Sequence, residues 1–333
     1  MQPNAPDYSI IVPTYRRPDS LARCLRAIEA LDFDRNRFEL LVVDDGSPAP
    51  PTDLVASLDP SIQARLLCTR HAGPATARNT GARAARARYV VFTDDDCQPR
   101  EDWLRSIDQC VGANRGSVAI GGRVVNVLAD NIYAAASQGI VDYLYEYYGE
   151  NPAPNRFFTS NNLVLPRAEF LRIGGFNETF ALPAAEDRDL CERWLTAGNR
   201  LEYAADAVVR HAHALSFVRF NRQHFTYGRG AVDLQRSRAE RGERSLKLEP
   251  LRFYSGLVTY PVRRLRSGRG LVLGALHLWS QVAYASGYYF ERTRRGWAVN
   301  GAGHPPGADD SRDADDNDDA ESATGSGSMS SVA

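Results

Sequence analysis

The sequence predicts an α/β protein, a mainly parallel sheet flanked by helices and followed by a helical C-terminal extension. Short apolar runs alternate with helix-period stretches through the first hundred residues. Polar and acidic residues follow directly on three of those runs. From Ser216 onward the pattern turns to Arg-rich helices.

Tyr8–Val12 is a β-rich apolar run ended by Pro13. Between Pro18 and Leu31, Leu21, Cys24, Leu25, Ile28 and Leu31 recur at helical spacing. Phe38–Val43 is nearly continuous in apolar residues, as suits a strand covered on both faces. A loop at Asp44–Pro51, a strand at Ala64–Cys68, an Ala/Arg-rich helix at Gly73–Ala87 and a strand at Tyr89–Thr93 come next. This β-α-β-α order implies a parallel sheet. Ser117–Leu128 reads as a weaker strand or a hairpin around Gly121-Gly122, and Asn131–Tyr148 as a Tyr-rich helix. Thr159–Leu165 reads as a strand, Arg167–Ile173 and Glu186–Ala197 as helices, and Ala207–His211 as a last short strand. The expected organisation is an α/β domain over 1–215, an Arg-rich helical extension over 216–300 and a disordered acidic tail over 301–333.

Composition narrows the function classes. The hydrophobic share of 43% and charged share of 24% are those of a globular protein. The net charge of -1 conceals an asymmetry, because the tail is strongly acidic and the remaining body is net positive. The 5 cysteines are scattered and never form C-x-x-C, which argues against a disulfide framework or a zinc site. No signal peptide and no long uninterrupted apolar run is visible, so a cytoplasmic setting is expected.

In open α/β sheets the ligand lies beyond the carboxyl ends of the strands. Here those ends carry Pro13-Thr14-Tyr15, Asp44-Asp45-Gly46-Ser47 and Asp94-Asp95-Asp96. Three adjacent carboxylates repel and need a cation or water. A Mg²⁺ or Mn²⁺ bridging diphosphate oxygens suits them, and a solvated acidic turn or helix cap suits them too.

Six segments, in order, resemble the family 2 glycosyltransferases of the GT-A fold: SIIVPTYRRPDSLARCL, LLVVDDGS, GPATARNTGARAA, YVVFTDDDCQPREDWL, TSNNLVLPRAEFLRIGGFNE and AAEDRDLCERW. Together they cover about residues 8–215. The resemblance implies a nucleotide-sugar donor (UDP-, GDP- or dTDP-linked) and a divalent cation, Mg²⁺ or Mn²⁺. It implies that Pro13, Thr14 and Tyr15 line the base and ribose, that Asp44 accepts from the base with Asp45 nearby, and that Arg78 approaches the nucleotide or its phosphates. Asp94 and Asp96 match the D-x-D motif, Asp94 near the ribose and Asp96 on the metal, with Asp95 in the tolerant middle position. His211 is the histidine expected near the metal, and His213 is the alternative.

Inverting sugar transfer needs a carboxylate to take the acceptor proton. By resemblance this is Asp187 of the Glu186-Asp187 pair opening a helix, with Asp189 as competitor and Leu182–Ala185 as a loop facing the acceptor. Thr159–Asn162 and Gly174-Gly175-Phe176 also match, and the glycines would allow close approach near the acceptor cleft or form a turn. The Q-x-x-R-W signature of processive synthases is absent, which favours single additions.

Between Ser216 and Asn300 the sixteen Arg or Lys outnumber five acidic residues. Leu271–Phe290 is apolar and aromatic and is flanked by Arg263, Arg264, Arg266 and Arg269 on one side and by Arg292, Arg294 and Arg295 on the other. It reads either as a helix in the interface of an anionic membrane, which suits a lipid-linked acceptor, or as a helix packed back on the catalytic domain. Nucleic acid is not an expected partner. Two rival functions remain open, a non-catalytic nucleotide-sugar-binding protein and a nucleotidyltransferase. The latter is poorly served by PTYRRPD where a Gly-rich triphosphate loop belongs.

Overall fold

The computed structural model describes residues 5–114, 116–150, 156–180, 182, 184–243 and 248–300. The expected acidic tail at 301–333, and Pro183 in the expected acceptor loop, lie outside the described residues. Residues 1–293 form one compact unit, and 294–333 are counted as a second.

Eight strands form one sheet: β1 (Tyr8–Thr14), β2 (Phe38–Asp44), β3 (Gln63–Cys68), β4 (Tyr89–Phe92), β5 (Cys97–Pro99), β6 (Val118–Asn126), β7 (Leu163–Pro166) and β8 (Arg200–His211). Their order is β3-β2-β1-β4-β7-β6-β8-β5. The pairs β1–β2, β1–β4, β2–β3 and β6–β8 are parallel, whereas β4–β7, β6–β7 and β5–β8 are antiparallel.

Successive residues of a strand point to opposite faces, so apolar runs without alternation need cover on both. Ile11, Leu41, Val43 and Phe92 pack on one side with Ala77, Phe170 and Trp194. These come from α3 (Pro74–Ala84), α6 (Arg167–Arg172) and α7 (Glu186–Thr196). Ile10, Val12, Leu40, Val42 and Val91 pack on the other with Leu21, Ile28, Trp103 and Ile107. These belong to α1 (Pro18–Glu29) and α4 (Trp103–Ala113), and α2 (Thr52–Ala56) lies between β2 and β3. The apolar spacing that marked α1 in the sequence is its buried face, Leu21, Cys24, Leu25 and Ile28.

Gly121-Gly122 makes no hairpin. Both lie inside the single strand β6. A Cβ at Gly121 would meet the Phe158 ring, and one at Gly122 would meet Asn162 and the Ala207 carbonyl. The glycines admit close neighbours, which local sequence does not distinguish from a turn.

After β8 the chain is helical: α8 (Phe217–Glu240), α9 (Leu251–Leu265) and α10 (Gly268–Asn300), with α5 (Ile132–Glu150) packed among them. Gly228 of α8 lies against the Tyr284 carbonyl of α10, and Gly287 of α10 against the Phe225 carbonyl of α8. Pro261 in α9 has no N–H to offer the Leu257 carbonyl four residues back. That carbonyl instead meets His277 Nδ1 of α10 at 2.9 Å.

Candidate active site

The sheet order makes β1 a switch point, because the chain runs outward through β2 and β3 and returns to β4 on the other side of β1. Such a reversal opens a crevice at the carboxyl ends. Pairing of β1 with β4 stops at Ile11 and Phe92. Pro13, which cannot donate to a ladder, therefore sits where the crevice begins.

On the β2 side, Asp44 Oδ2 accepts from the Ser47 amide at 2.9 Å, while its Oδ1 is buried and has no hydrogen-bond partner among the described residues. Asp45 accepts from the Ala72 and Gly73 amides at 3.0 and 2.8 Å, and His71 Nδ1 lies 3.0 Å from its Oδ2. The His71 ring stacks on Tyr15, centroids 4.1 Å apart. An aromatic plate and an unmatched carboxylate oxygen thus share one end of the crevice.

On the β4 side the three carboxylates diverge. Asp95 turns inward, accepting from Thr14 Oγ1 at 2.7 Å and from Arg17 Nη2 at 2.5 Å. Burial pushes it up to about 7, with Arg17 opposing. Asp96 meets Arg17 Nη1 at 3.2 Å, His211 Nε2 at 3.3 Å and His213 Nδ1 at 3.7 Å. Burial would raise its pKa, but His211 and Arg17 outweigh that and hold Asp96 well below the usual carboxylate range. Asp94 binds Arg78 Nη2 at 2.7 Å.

Arg78, on α3 and buried, reaches a second carboxylate. Its Nη1 lies 3.4 Å from Glu186 Oε1 at the start of α7. The guanidinium therefore joins the Asp94 end of the crevice to the Glu186-Asp187 pair. Burial pushes Glu186 up to about 7, helped by Asp187 and opposed by Arg78. Burial also raises Asp187, against Arg188 and Arg78. Asp187 Oδ1 accepts from the Arg188 amide at 2.8 Å. Asp189 is different: fully buried, it accepts from Arg193 at 2.7 Å, Arg241 at 2.7 Å and Ser237 at 2.6 Å. Three donors thus hold the Asp189 carboxylate within the protein.

Residues 9–176, just over half of the chain, match the description glycosyl transferase family 2. The chain belongs to that family. It is similar to a pre-mycofactocin glycosyltransferase of Mycobacterium tuberculosis, 28% identical over 246 residues that cover 70% of this chain and 48% of the relative. It thus spans about half the length of that curated relative. Among solved structures it is similar to the mannosyltransferase PcManGT of Pyrobaculum calidifontis in complex with GDP-Man and Mn²⁺, with a TM-score of 0.54 and 22% identity over 89% of this chain and 82% of that one. It is also similar to S. aureus TarS in complex with UDP-GlcNAc, with a TM-score of 0.53 and 17% identity over 87% and 92%. The fold is GT-A.

For a member of this family the donor set bears on the cation. Asp96, Cys97 and His211 bring ligand atoms within 4.8 Å of one another. Cys97 Sγ lies 3.7 Å from Asp96 Oδ1, and the carboxylate and imidazole are the harder donors of the set. That set fits a hard or borderline divalent cation such as Mg²⁺ or Mn²⁺.

Several residues escaped the sequence reading. Arg17 bridges Asp95 and Asp96, and only its place in the loop after β1 hinted at it. Asn79 clamps the Gly-Gly-Phe segment by exchanging hydrogen bonds with the Phe176 backbone at 2.8 and 2.9 Å. Gly174 and Gly175 have φ of +90 and +68, so the glycines serve that turn. Tyr227 of α8 lies within electrostatic reach of Asp187 and Glu186, a tertiary proximity that no local pattern signals.

Proposed function

We propose that the protein is an inverting, metal-dependent glycosyltransferase that moves a sugar from a UDP-, GDP- or dTDP-linked donor to a carbohydrate or lipid-linked acceptor. The observation that carries this reading is the Asp94–Arg78–Glu186 chain, which ties the nucleotide side of the crevice to the helix bearing Asp187. The nucleotide-sugars seen in PcManGT and TarS support the donor class.

Tyr15 stacked on His71 offers a face for the base, and the unmatched Asp44 oxygen awaits a base N–H. Asp94, half-turned to the crevice, reaches the ribose or sugar, with Arg78 fixing its direction. A Mg²⁺ or Mn²⁺ held by Asp96 with His211, or His213, would neutralise charge on the departing diphosphate. Asp187 takes the acceptor hydroxyl proton, the freed oxygen forms the bond to the anomeric carbon, and the bond from that carbon to the diphosphate breaks. One displacement inverts the centre. A raised pKa brings a carboxylate base nearer neutral pH, where it is stronger. An acceptor carried on lipid would bring the enzyme to an anionic membrane surface.

The test is Asp187→Asn. Loss of a general base is expected to lower kcat by about 10²–10⁴-fold while nucleotide-sugar binding is unchanged. Donor binding without hydrolysis or transfer by the parent protein would instead support the non-catalytic reading. Unchanged turnover in the variant would remove Asp187 from the mechanism.

A further inference from the structure

Helix α10 turns more of its large apolar side chains outward than inward. Of the positions it turns inward, Gly270, Gly274, His277, Ser280, Gly287 and Glu291 are small or polar, while Leu273 and Ala283 are apolar. His277, Ser280 and Glu291 are almost wholly buried and each has a hydrogen-bond partner: Leu257 and Ala136 carbonyls for His277, the His277 carbonyl for Ser280, Arg229 for Glu291. Turned outward are Leu271, Val272, Leu278, Trp279, Val282 and Phe290, 44–64% exposed, with Ser286 exposed among them. Their spacing keeps one stripe along the helix. Twenty residues from Leu271 to Phe290 make it about 30 Å long.

The stripe continues onto α8, where Phe217 and Val218 are exposed and the Phe217 ring lies 6.0 Å from Trp279. A contiguous apolar patch of this extent on a globular surface marks an interaction site. The charge around it is mostly positive, although Arg264 is paired with the exposed Glu146 at 2.6 Å. Arg263, Arg264, Arg266 and Arg269 are exposed at one end, Arg292 is exposed at the other, and the only acid between residues 268 and 293 is the buried Glu291.

We propose that this face seats the protein on the surface of a bilayer containing anionic lipid, with the α10 stripe in the acyl–headgroup boundary and the arginines at the headgroups. The helix lies on the membrane. No helix of the described residues is long and apolar enough to cross one, and between Gly270 and Gly287 α10 is fixed to α8, α9 and α5. A second copy is the poorer occupant. Both ends of the stripe are cationic, so pairing two copies in either direction sets arginines against arginines, whereas anionic headgroups complement them. The placement bears on the acceptor, a point that rests on the proposed transferase reading. Tyr227, near Asp187, is ten residues along α8 from Phe217, a rise of about 15 Å. A membrane-held acceptor group of modest size spans that distance.

The experiment is flotation of the full chain with vesicles of phosphatidylcholine alone or mixed with phosphatidylglycerol, without donor. The parent is expected to float with the mixed vesicles and to be released by salt. Leu278→Glu with Val282→Glu is expected to lower partitioning by about a hundredfold, since two apolar anchors become charges at exposed positions. Arg263→Ser, Arg264→Ser and Arg266→Ser together are expected to weaken binding to mixed vesicles by about fivefold per residue. Circular dichroism checks that the variants fold. The inference is overturned if the parent ignores both vesicles, or if the glutamate pair floats as well as the parent. It is also overturned if light scattering shows a dimer that the glutamate pair dissociates. Flotation needs no turnover, so an inactive protein that floats leaves this inference standing and refutes only the transferase.

Discussion

At the scale of residues, the site concentrates like charge and holds it with few cations. Glu186, buried and pushed up to about 7, binds protons more readily folded than unfolded. Such a group contributes stability below its unfolded pKa and loses it as pH rises through the folded one. Glu186→Gln removes that loss. The variant is therefore expected to gain melting temperature over the parent as pH rises from about 4.5 to 7, while transfer falls. Scanning calorimetry at several pH values checks this, and a pH-independent difference would count against it. Arg78 acts in the opposite direction, favouring the ionised forms of both Glu186 and Asp187. The base must be ionised to work, so Arg78→Gln is expected to move the acid limb of the pH–rate profile up by about one unit. The acidic pieces were legible in the sequence because they follow strands or open a helix, positions that local pattern fixes. Arg17 and Asn79 were not, because their partners are 78 and 97 residues away and only the sheet order brings them near.

At the scale of elements, α7, the helix that Glu186 and Asp187 open, is anchored by ions rather than by apolar packing alone. Asp189 accepts from Arg193 on its own helix and from Ser237 and Arg241 at the end of α8, and Glu192 meets Arg238 at 2.8 Å. Removing one partner of a buried ion group strands the others. Asp189→Ala is expected to cost about 3–5 kcal/mol in urea unfolding, and Ser237→Ala about 1 kcal/mol. Equal small losses would mean that solvent already screens the network. The crossing of α8 and α10 has a different basis, two glycines that bring backbones together. Gly228→Ala drives a methyl into the Tyr284 carbonyl, so a loss of about 1–3 kcal/mol is expected by the same measurement. Strands β1, β2 and β4 were readable because burial on both faces writes a continuous apolar run. Gly121-Gly122 misled because a close approach and a turn ask for the same residue. The fate of α10 stayed open for a related reason. Its sequence reads as apolar and aromatic, and only the structure shows that His277, Ser280 and Glu291 are buried while Leu278, Trp279 and Val282 are exposed.

At the scale of the whole molecule, the crevice exists because β4 returns beside β1, and the Thr14–Asp95 hydrogen bond closes the bottom of that reversal. Arg17 spans the same place and supplies the positive charge that Asp95 and Asp96 need. A divalent cation at Asp96 therefore competes with a guanidinium already there. A nucleoside diphosphate changes the balance, because its phosphates add the negative charge that allows both cations to stay. Cation and nucleotide are thus expected to bind with positive coupling, each strengthening the other by the same factor. Mn²⁺ alone is expected to move the melting temperature little. Mn²⁺ with the matching diphosphate, at about a hundredfold excess over Kd, is expected to add about 2.7 kcal/mol, or about 4–5 °C. Comparing UDP, GDP and dTDP identifies the base through the same shift. Arg17→Ala should let Mn²⁺ stabilise the protein by itself and shrink the coupling, whereas Asp96→Asn should abolish the Mn²⁺-dependent part. Full stabilisation of the parent by Mn²⁺ alone would show that Arg17 and the metal do not contend for Asp96.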